Sequence, residues 1–277
     1  MVFSSVPFLY YFLPGCALLY FLAPRRLKNA ALLLCSLLFY AWGEPNYVLL
    51  LLFSIAQGYA AARIIERYRP RRIAAAARTA SVVLSLALLA VFKYAGFFLE
   101  SFRAVTGLPV TVLRLALPAG ISFYTFQILS YVLDVWHGRA PAQRSFVNLA
   151  TYIAMFPQLI AGPIVRYTDI TEQLECRTVT LANAASGVQR FAVGLAKKVL
   201  LADSLAAIGT AWRATAQPSV LFAWLYAVSF LLQIYFDFSG YSDMAIGLGR
   251  LFGFSFPENF NYPYISASIT EFWRRWH

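Results

Sequence analysis

Apolar residues run through this chain in long blocks separated by short charged stretches, and the block lengths set the first expectations. The block from about Val6 to Ala23 is closed by Pro24 and the cations Arg25, Arg26 and Lys28. It has the length of a bilayer-spanning helix, which takes about 20 residues. "NAALLLCSLLFYAW" is shorter and turns at "GEPN", after which "YVLLLLFSIAQGYAAARII" returns to a block of arginines at 63, 67, 69, 71, 72 and 78. "TASVVLSLALLAVFKYAGFFL" leads away again, into a polar stretch from Glu100 to Arg114 expected to face the exterior. Near the end, "SVLFAWLYAVSFLLQIYFDF" reads as a clean span and "YSDMAIGLGRLFGF" as a separate, shorter one.

Between these blocks the pattern changes. In "LPAGISFYTFQILSYVLDVW", "ATYIAMFPQLIAGPIVRY" and "FAVGLAKKVLLADSLAAIG", proline, glycine and charges interrupt the apolar runs. Broken helices persist at membrane depth only where protein or a water-filled cavity satisfies the freed backbone groups. The pattern therefore predicts an all-α, polytopic integral membrane bundle with broken or re-entrant helices around a central polar passage. No fixed-period repeat or low-complexity linker divides the sequence, so residues 1–277 read as one transmembrane domain. Its first 100 residues supply peripheral spanning helices, and residues 113–277 begin the core.

Composition agrees with the pattern: 60% of the 277 residues are apolar, 17% aromatic and only 13% charged. A soluble enzyme of this size would expose more apolar surface than its core could hide. The net charge of +11 is gathered in clusters between apolar blocks, which fits the positive-inside rule and not a nucleic-acid face. The basic stretches 25–28 and 63–78 are accordingly expected in the cytoplasm and the N-terminus outside, with the first span retained. Cys16, Cys35 and Cys176 lack a CxxC spacing, and no HExxH, P-loop or GxSxG occurs, so neither a metal nor a bound cofactor is expected.

The densest polar group in an apolar setting is "QIYFDFSGYSDMAIGLG". Asp237 and Tyr241 would share one helical face and Ser239 and Asp243 another, with Gly240 bending the helix. Acids at membrane depth are costly and are functional candidates by default. The alternative is that they cap backbone groups or pair with arginines such as Arg274. "MFPQLIAGPIVRY" offers irregular backbone beside Gln158 and Arg166, suited to an anion or a thioester oxygen or merely to bending. Lys197 and Lys198 suit anionic headgroups, or the phosphates of an acyl donor such as coenzyme A.

The stretch "SITEFWRRWH" carries the S-x-x-E spacing of a capping box at Ser268 and Glu271, so a helix should start near Ile269. On that helix Trp273, Arg274 and His277 would share a face. Histidine titrates near neutral pH and can take a proton from an alcohol. The helix would be cut short at about nine residues, so the chain reads as ending within an element.

The blocks "NAALLLCSLLFYAWGEP", "LPAGISFYTFQILSYVLDVW", "FPQLIAGPIVRY", "IYFDFSGYSDMAIGLGRLFGF" and "PENFNYPYISASITEFWRRWH" resemble, in order, those of the membrane-bound O-acyltransferases, closest to the bacterial members that acetylate alginate and similar exopolysaccharides. The resemblance implies transfer of an acyl group, acetyl first among them, from a cytoplasmic acyl-coenzyme A or acyl-carrier thioester to a hydroxyl. The acceptor would be an extracytoplasmic polysaccharide or a periplasmic acetyltransferase partner, at the bacterial inner membrane. It also implies that His277 is the histidine closing a W-x-x-W-H block, with a second histidine further downstream acting as general base. His277 and the Asp237/Asp243 region would then shape the passage, and residues 1–277 alone would be inactive. "VWHG" mimics the second context, but His137 reads as a loop residue. A transporter or channel shares the broken helices and midplane acids, and a non-catalytic subunit of a complex is the remaining alternative.

Overall fold

The computed structural model describes residues 2–109, 111, 116–159, 162–163, 165–216 and 219–277. Every regular element among them is helical, and the chain divides into two compact units. Part of the polar stretch expected outside, at 110 and 112–115, and part of the irregular one around Gly162 lie outside the described residues.

One unit comprises Met1–Leu22, Ala161–Val165 and Cys176–His277. It contains α1 (Leu13–Leu22), entered through a π-helical turn at Phe8–Phe12, and later α9 (Leu181–Ala196), α10 (Asp203–Ala214), α11 (Val220–Leu251) and α12 (Ile269–Arg275). The other comprises Ala23–Ile160 and Arg166–Glu175 and contains α2 (Lys28–Gly43), α3 (Val48–Tyr68), α4 (Arg72–Thr106), α5 (Ile121–His137), α6 (Phe146–Ala154), α7 (Phe156–Leu159) and α8 (Tyr167–Glu175). Three helices are long and apolar enough to cross a bilayer: Pro45–Tyr68, Arg72–Thr106 and Val220–Leu251.

In the unit built from α2 to α8, the α3/α4 hairpin is clamped by a polar bridge. Gln57 donates to Ser85 Oγ at 2.9 Å and accepts from Ser81 Oγ at 2.8 Å. Such side-chain bonds hold helices together where lipid supplies no hydrophobic drive between them. Arg78 lies 4.5 Å over the Trp136 ring, tying α4 to the end of α5. α5 begins after Gly120 and runs unbroken through the stretch predicted to be interrupted. The proline and glycine stand before its first turn, where they cost nothing. His137, expected in a loop, is the last residue of α5 and bonds the Leu133 carbonyl at 2.8 Å. The interruption expected at "AMFPQ" is present: α6 stops at Ala154, and α7 restarts for a single turn beside Pro157.

In the other unit, "YFDFSGYSDMAIG" is not broken at Gly240, and the two predicted spans are one helix of 32 residues, about 48 Å of rise at 1.5 Å per residue. Gly240 is used for close approach to a neighbour instead. α9 and α10 are likewise continuous through a π turn at Lys197–Ala202, where the Asp203 amide reaches the Lys198 carbonyl.

Candidate active site

α9 and α11 meet along two stripes of identical spacing. On α9 the stripe is Gly187, Arg190, Gly194 and Lys197; on α11 it is Gly240, Asp243, Gly247 and Arg250. The helices run antiparallel, so Gly187 opposes Gly247 and Gly194 opposes Gly240. A Cβ at Gly194 would lie 2.5 Å from the Gly240 carbonyl oxygen, and one at Gly187 2.6 Å from that of Gly247. Only glycine admits this separation.

Close backbones bring the charged positions between the glycines into direct contact. Asp243, 6% exposed, receives Arg190 Nε on one oxygen at 2.8 Å and Lys197 Nζ on the other at 2.6 Å. A carboxylate buried this far needs such partners, since an unpaired charge there would be severely destabilising. The π turn starts at Lys197 and changes the helical phase, so the next residue also reaches α11: Lys198 bridges Asp203 and Asp237, both at 2.9 Å. Turns of this kind recur at functional sites.

A cavity of about 680 Å³ opens beside this seam, lined by Arg190, Lys197, Ser239, Asp243 and Arg250, and by Glu258, Asn261 and Tyr262 of the segment after α11. Arg190 pairs with Glu258 as well as with Asp243, and Arg250 stands 3.6 Å from Glu258. Phe260 also lines the cavity and stacks on His277, ring centroids 6.4 Å apart, while Phe238 of α11 packs on the imidazole at 4.6 Å. His277 Nδ1 meets Asn259 Oδ1 at 2.8 Å. Part of the ring stays accessible, yet the aromatic packing holds its pKa below the usual imidazole value by disfavouring the charged form.

The capping box forms: Ser268 Oγ accepts from the Glu271 amide at 3.1 Å, and Glu271 reaches back to the Ala267 amide at 3.0 Å. α12 ends at Arg275, however, and Trp276 pairs with Phe260 in an isolated antiparallel bridge. His277 therefore leaves the helix and does not share a face with Trp273 and Arg274, both of which are exposed. The Asn261 amide donates to the Arg275 carbonyl at 2.9 Å, and that pairing carries His277 to Asn259.

The other expected residues divide as follows. Ser239 and Asp243 line the cavity together, as their spacing implied. Asp237 is half exposed on Lys198, and Tyr241, four residues on in the same helix, stacks on Phe3 at 4.6 Å. The partners of Asp243 are Arg190 and Lys197, not Arg274. In the unit of α2 to α8, Gln158 is buried and donates to the Tyr152 carbonyl, whereas the Arg166 side chain is exposed and its amide caps on Asp169 at 3.1 Å. Among the described residues no three or more His, Cys, Asp or Glu side chains gather as a metal site would require.

Residues 139–277, just over half of the chain, match the sequence profile described as MBOAT, membrane-bound O-acyltransferase family. The chain belongs to that family. It is 47% identical over 290 residues to the "Probable alginate O-acetylase AlgI" of Azotobacter vinelandii, covering all of this chain and 56% of that protein. It is 34% identical over 310 residues to the "Peptidoglycan O-acetyltransferase" of Helicobacter pylori, covering 100% and 59%. A "Teichoic acid D-alanyltransferase" of Bacillus subtilis matches at 31% over 166 residues, 57% of this chain and 41% of that protein. The chain spans about half the length of these curated relatives.

As a multi-span membrane protein of the O-acyltransferase family, the chain lines its polar cavity with residues that sequence reading passed over, Arg190, Arg250 and Glu258, and holds His277 with another, Asn259. The signal for the first two was present. "GVQRFAVGLAK" and "GYSDMAIGLGR" share one pattern, glycines seven apart with charges three beyond each. For Asn259 and Glu258, in "FPENFNYP", no periodic signal exists.

Proposed function

We propose that this member of the O-acyltransferase family serves the transfer of an acyl group, acetyl first among them, from a thioester to a hydroxyl of a cell-envelope polymer. The donor is acyl-coenzyme A or an acyl-carrier thioester reaching the cytoplasmic side, where the basic stretches 25–28 and 63–78 lie. The acceptor is an extracytoplasmic polysaccharide or a periplasmic acetyltransferase partner at the bacterial inner membrane. The relatives' names support this class, each joining an acyl group to an envelope polymer.

The observation that supports the reading is His277 tied through Nδ1 to Asn259 and packed on Phe260, a residue of the cavity wall. With Nδ1 engaged, Nε2 presents its lone pair and accepts a hydrogen bond from the acceptor hydroxyl, orienting its oxygen toward the thioester carbonyl. The C–O bond forms, the C–S bond breaks, and the hydroxyl proton leaves with the thiol. Asp243, Arg190 and Lys197 fix the cavity wall against which this occurs.

The test uses envelope vesicles from bacteria making the protein at the full length of its relatives, supplied with labelled acetyl thioester, with label counted in the polymer; residues 1–277 alone should incorporate none. In the longer protein His277→Ala should lower the incorporation rate by about 100-fold, the scale of a misplaced reactant. Wild-type incorporation by that variant would remove His277 from the reaction. Solute flux in proteoliposomes without any acyl donor, together with no incorporation, would replace the enzyme reading with transport.

A further inference from the structure

The cavity beside the α9/α11 seam carries more positive than negative charge: Arg190, Lys197 and Arg250 against Asp243 and Glu258. The two carboxylates are not equivalent. Asp243 sits within a long helix, buried, with each oxygen held at hydrogen-bonding distance. Glu258 sits on the irregular segment between α11 and α12 with half of its side chain in solvent. It accepts a bond from Arg190 Nη2 at 2.5 Å and stands 3.6 Å from Arg250, the second separation too long for a strong charge-assisted bond. Arg250 also donates to Ser186 Oγ at 3.3 Å.

A second observation comes from the turn of α11 before Asp243. Ser239, 2% exposed, lines the same cavity, and its hydroxyl has no hydrogen-bond partner among the described residues. Buried hydroxyls are nearly always satisfied, so such a donor at a cavity wall marks where a further acceptor fits. Two guanidinium groups, an ammonium and an unpaired hydroxyl around one void are suited to an oxyanion, since arginine forks match carboxylate and phosphate oxygens.

We propose that this cavity binds an anionic group, a phosphate ester or a carboxylate, and that Glu258 is the exchangeable internal anion it displaces. Asp243 stays in place and holds Arg190 and Lys197 in position. The incoming anion takes over the Arg190 bond that Glu258 gives up, the released carboxylate stands half exposed on an irregular segment and is readily solvated, and the anion gains Ser239 as a donor that Glu258 does not use. The inference stands on the cavity's own charges, and failure of acyl transfer leaves it intact.

The experiment is calorimetric titration of the purified full chain in zwitterionic nanodiscs, with inorganic pyrophosphate in one arm and a short uronate oligosaccharide in the other. Saturable, salt-sensitive binding is expected in at least one arm; pyrophosphate alone would identify a phosphate ligand, the oligosaccharide alone a carboxylate. Glu258→Gln should tighten binding and Arg250→Gln weaken it, each roughly tenfold for one charge-assisted bond. Arg250→Lys should recover part of the loss, which guards against a misfolded variant. Absence of saturable binding in both arms by wild type and Glu258→Gln would overturn the proposal. So would weaker binding by a Glu258→Gln protein whose thermal midpoint equals that of wild type.

Discussion

Asn259 accepts a hydrogen bond from His277, Oδ1 to Nδ1, across 2.8 Å. An amide oxygen has no proton to give, so Nδ1 must carry the hydrogen and Nε2 the lone pair of the neutral ring. Against the imidazole stand Phe238 and Phe260, while the nearby ionisable groups are engaged elsewhere, Tyr235 with the Trp276 ring and Arg275 with Glu271. Asn259→Ala should lower kcat by about tenfold with little change in acceptor KM, the loss of one orienting bond. Asn259→Asp keeps an acceptor and adds a negative charge that favours imidazolium, so the acid limb of its pH–rate profile should move to higher pH. Equal losses in both variants with unmoved profiles would reduce Asn259 to a structural residue.

Two aspartates six residues apart on α11 should respond differently to the same change. Asp243→Asn leaves Arg190 and Lys197 converging on a neutral amide at a buried point and should cost about 3–5 kcal/mol, the range for one partner lost from a buried pair. Asp237 is half exposed and pairs with Lys198, which Asp203 also holds, so Asp237→Asn should cost less than about 1 kcal/mol. Thermal midpoints of the detergent-solubilised variants decide between these outcomes, and equal shifts would contradict the burial argument.

The helical class and the long spans were legible because backbone groups in lipid leave the chain little choice, so apolar length alone locates α3, α4 and α11. Breaks were legible only where proline sits inside a turn, as at Pro157. Gly240 misled the reading because one residue type serves two purposes, bending a helix or letting another approach, and the choice depends on what lies opposite. That neighbour is Gly194, 46 residues earlier in the sequence.

The candidate site shows the same limit. Asp243 and Ser239 were found because period alone puts them on one face, and the Ser268/Glu271 cap because it is local. His277 was placed on the wrong element. Helical spacing was carried past Arg275, whereas pairing of Trp276 with Phe260, a contact set by the fold and not by neighbours in sequence, ends the helix there. Arg190 and Arg250 needed the α9/α11 register, which the matched glycine spacings announce, whereas Glu258, on the irregular segment after α11, has no such signal.

Those glycines can be tested directly. Gly194→Ala sets a methyl group 2.5 Å from the Gly240 carbonyl oxygen and 2.6 Å from the Met244 amide, backbone atoms that cannot rotate aside. It should destabilise the protein by about 1–3 kcal/mol through overpacking and enlarge the separation across Asp243. Gly209→Ala is the control: its added carbon would meet Tyr226 at an ordinary 3.4 Å, and removing a helical glycine should stabilise by about 0.5–1 kcal/mol. Opposite signs of the two midpoint shifts are expected, and a stabilised Gly194→Ala would refute the close-packed seam.

The last prediction concerns pH and the segment from Asn259 to His277. Burial among aromatic rings lowers the His277 pKa, so between that lowered value and the usual 6.5 an unfolded segment binds more protons than a folded one. Stability of the segment should therefore be flat above 6.5 and fall as pH drops below it. Glu271 is also lowered, first by the Ala267 amide and then by Arg275, so its linkage has the same sign at lower pH, here because the charged form is favoured. Its contribution is complete above the usual carboxylate value and is lost only as pH falls through the lowered one. Hydrogen exchange of this segment, followed between about pH 4 and pH 8, should thus show two separate onsets of loosening. His277→Ala should remove the upper onset and keep the lower; Glu271→Gln should do the reverse. A single onset untouched by either variant would mean that neither group is linked to the order of this segment.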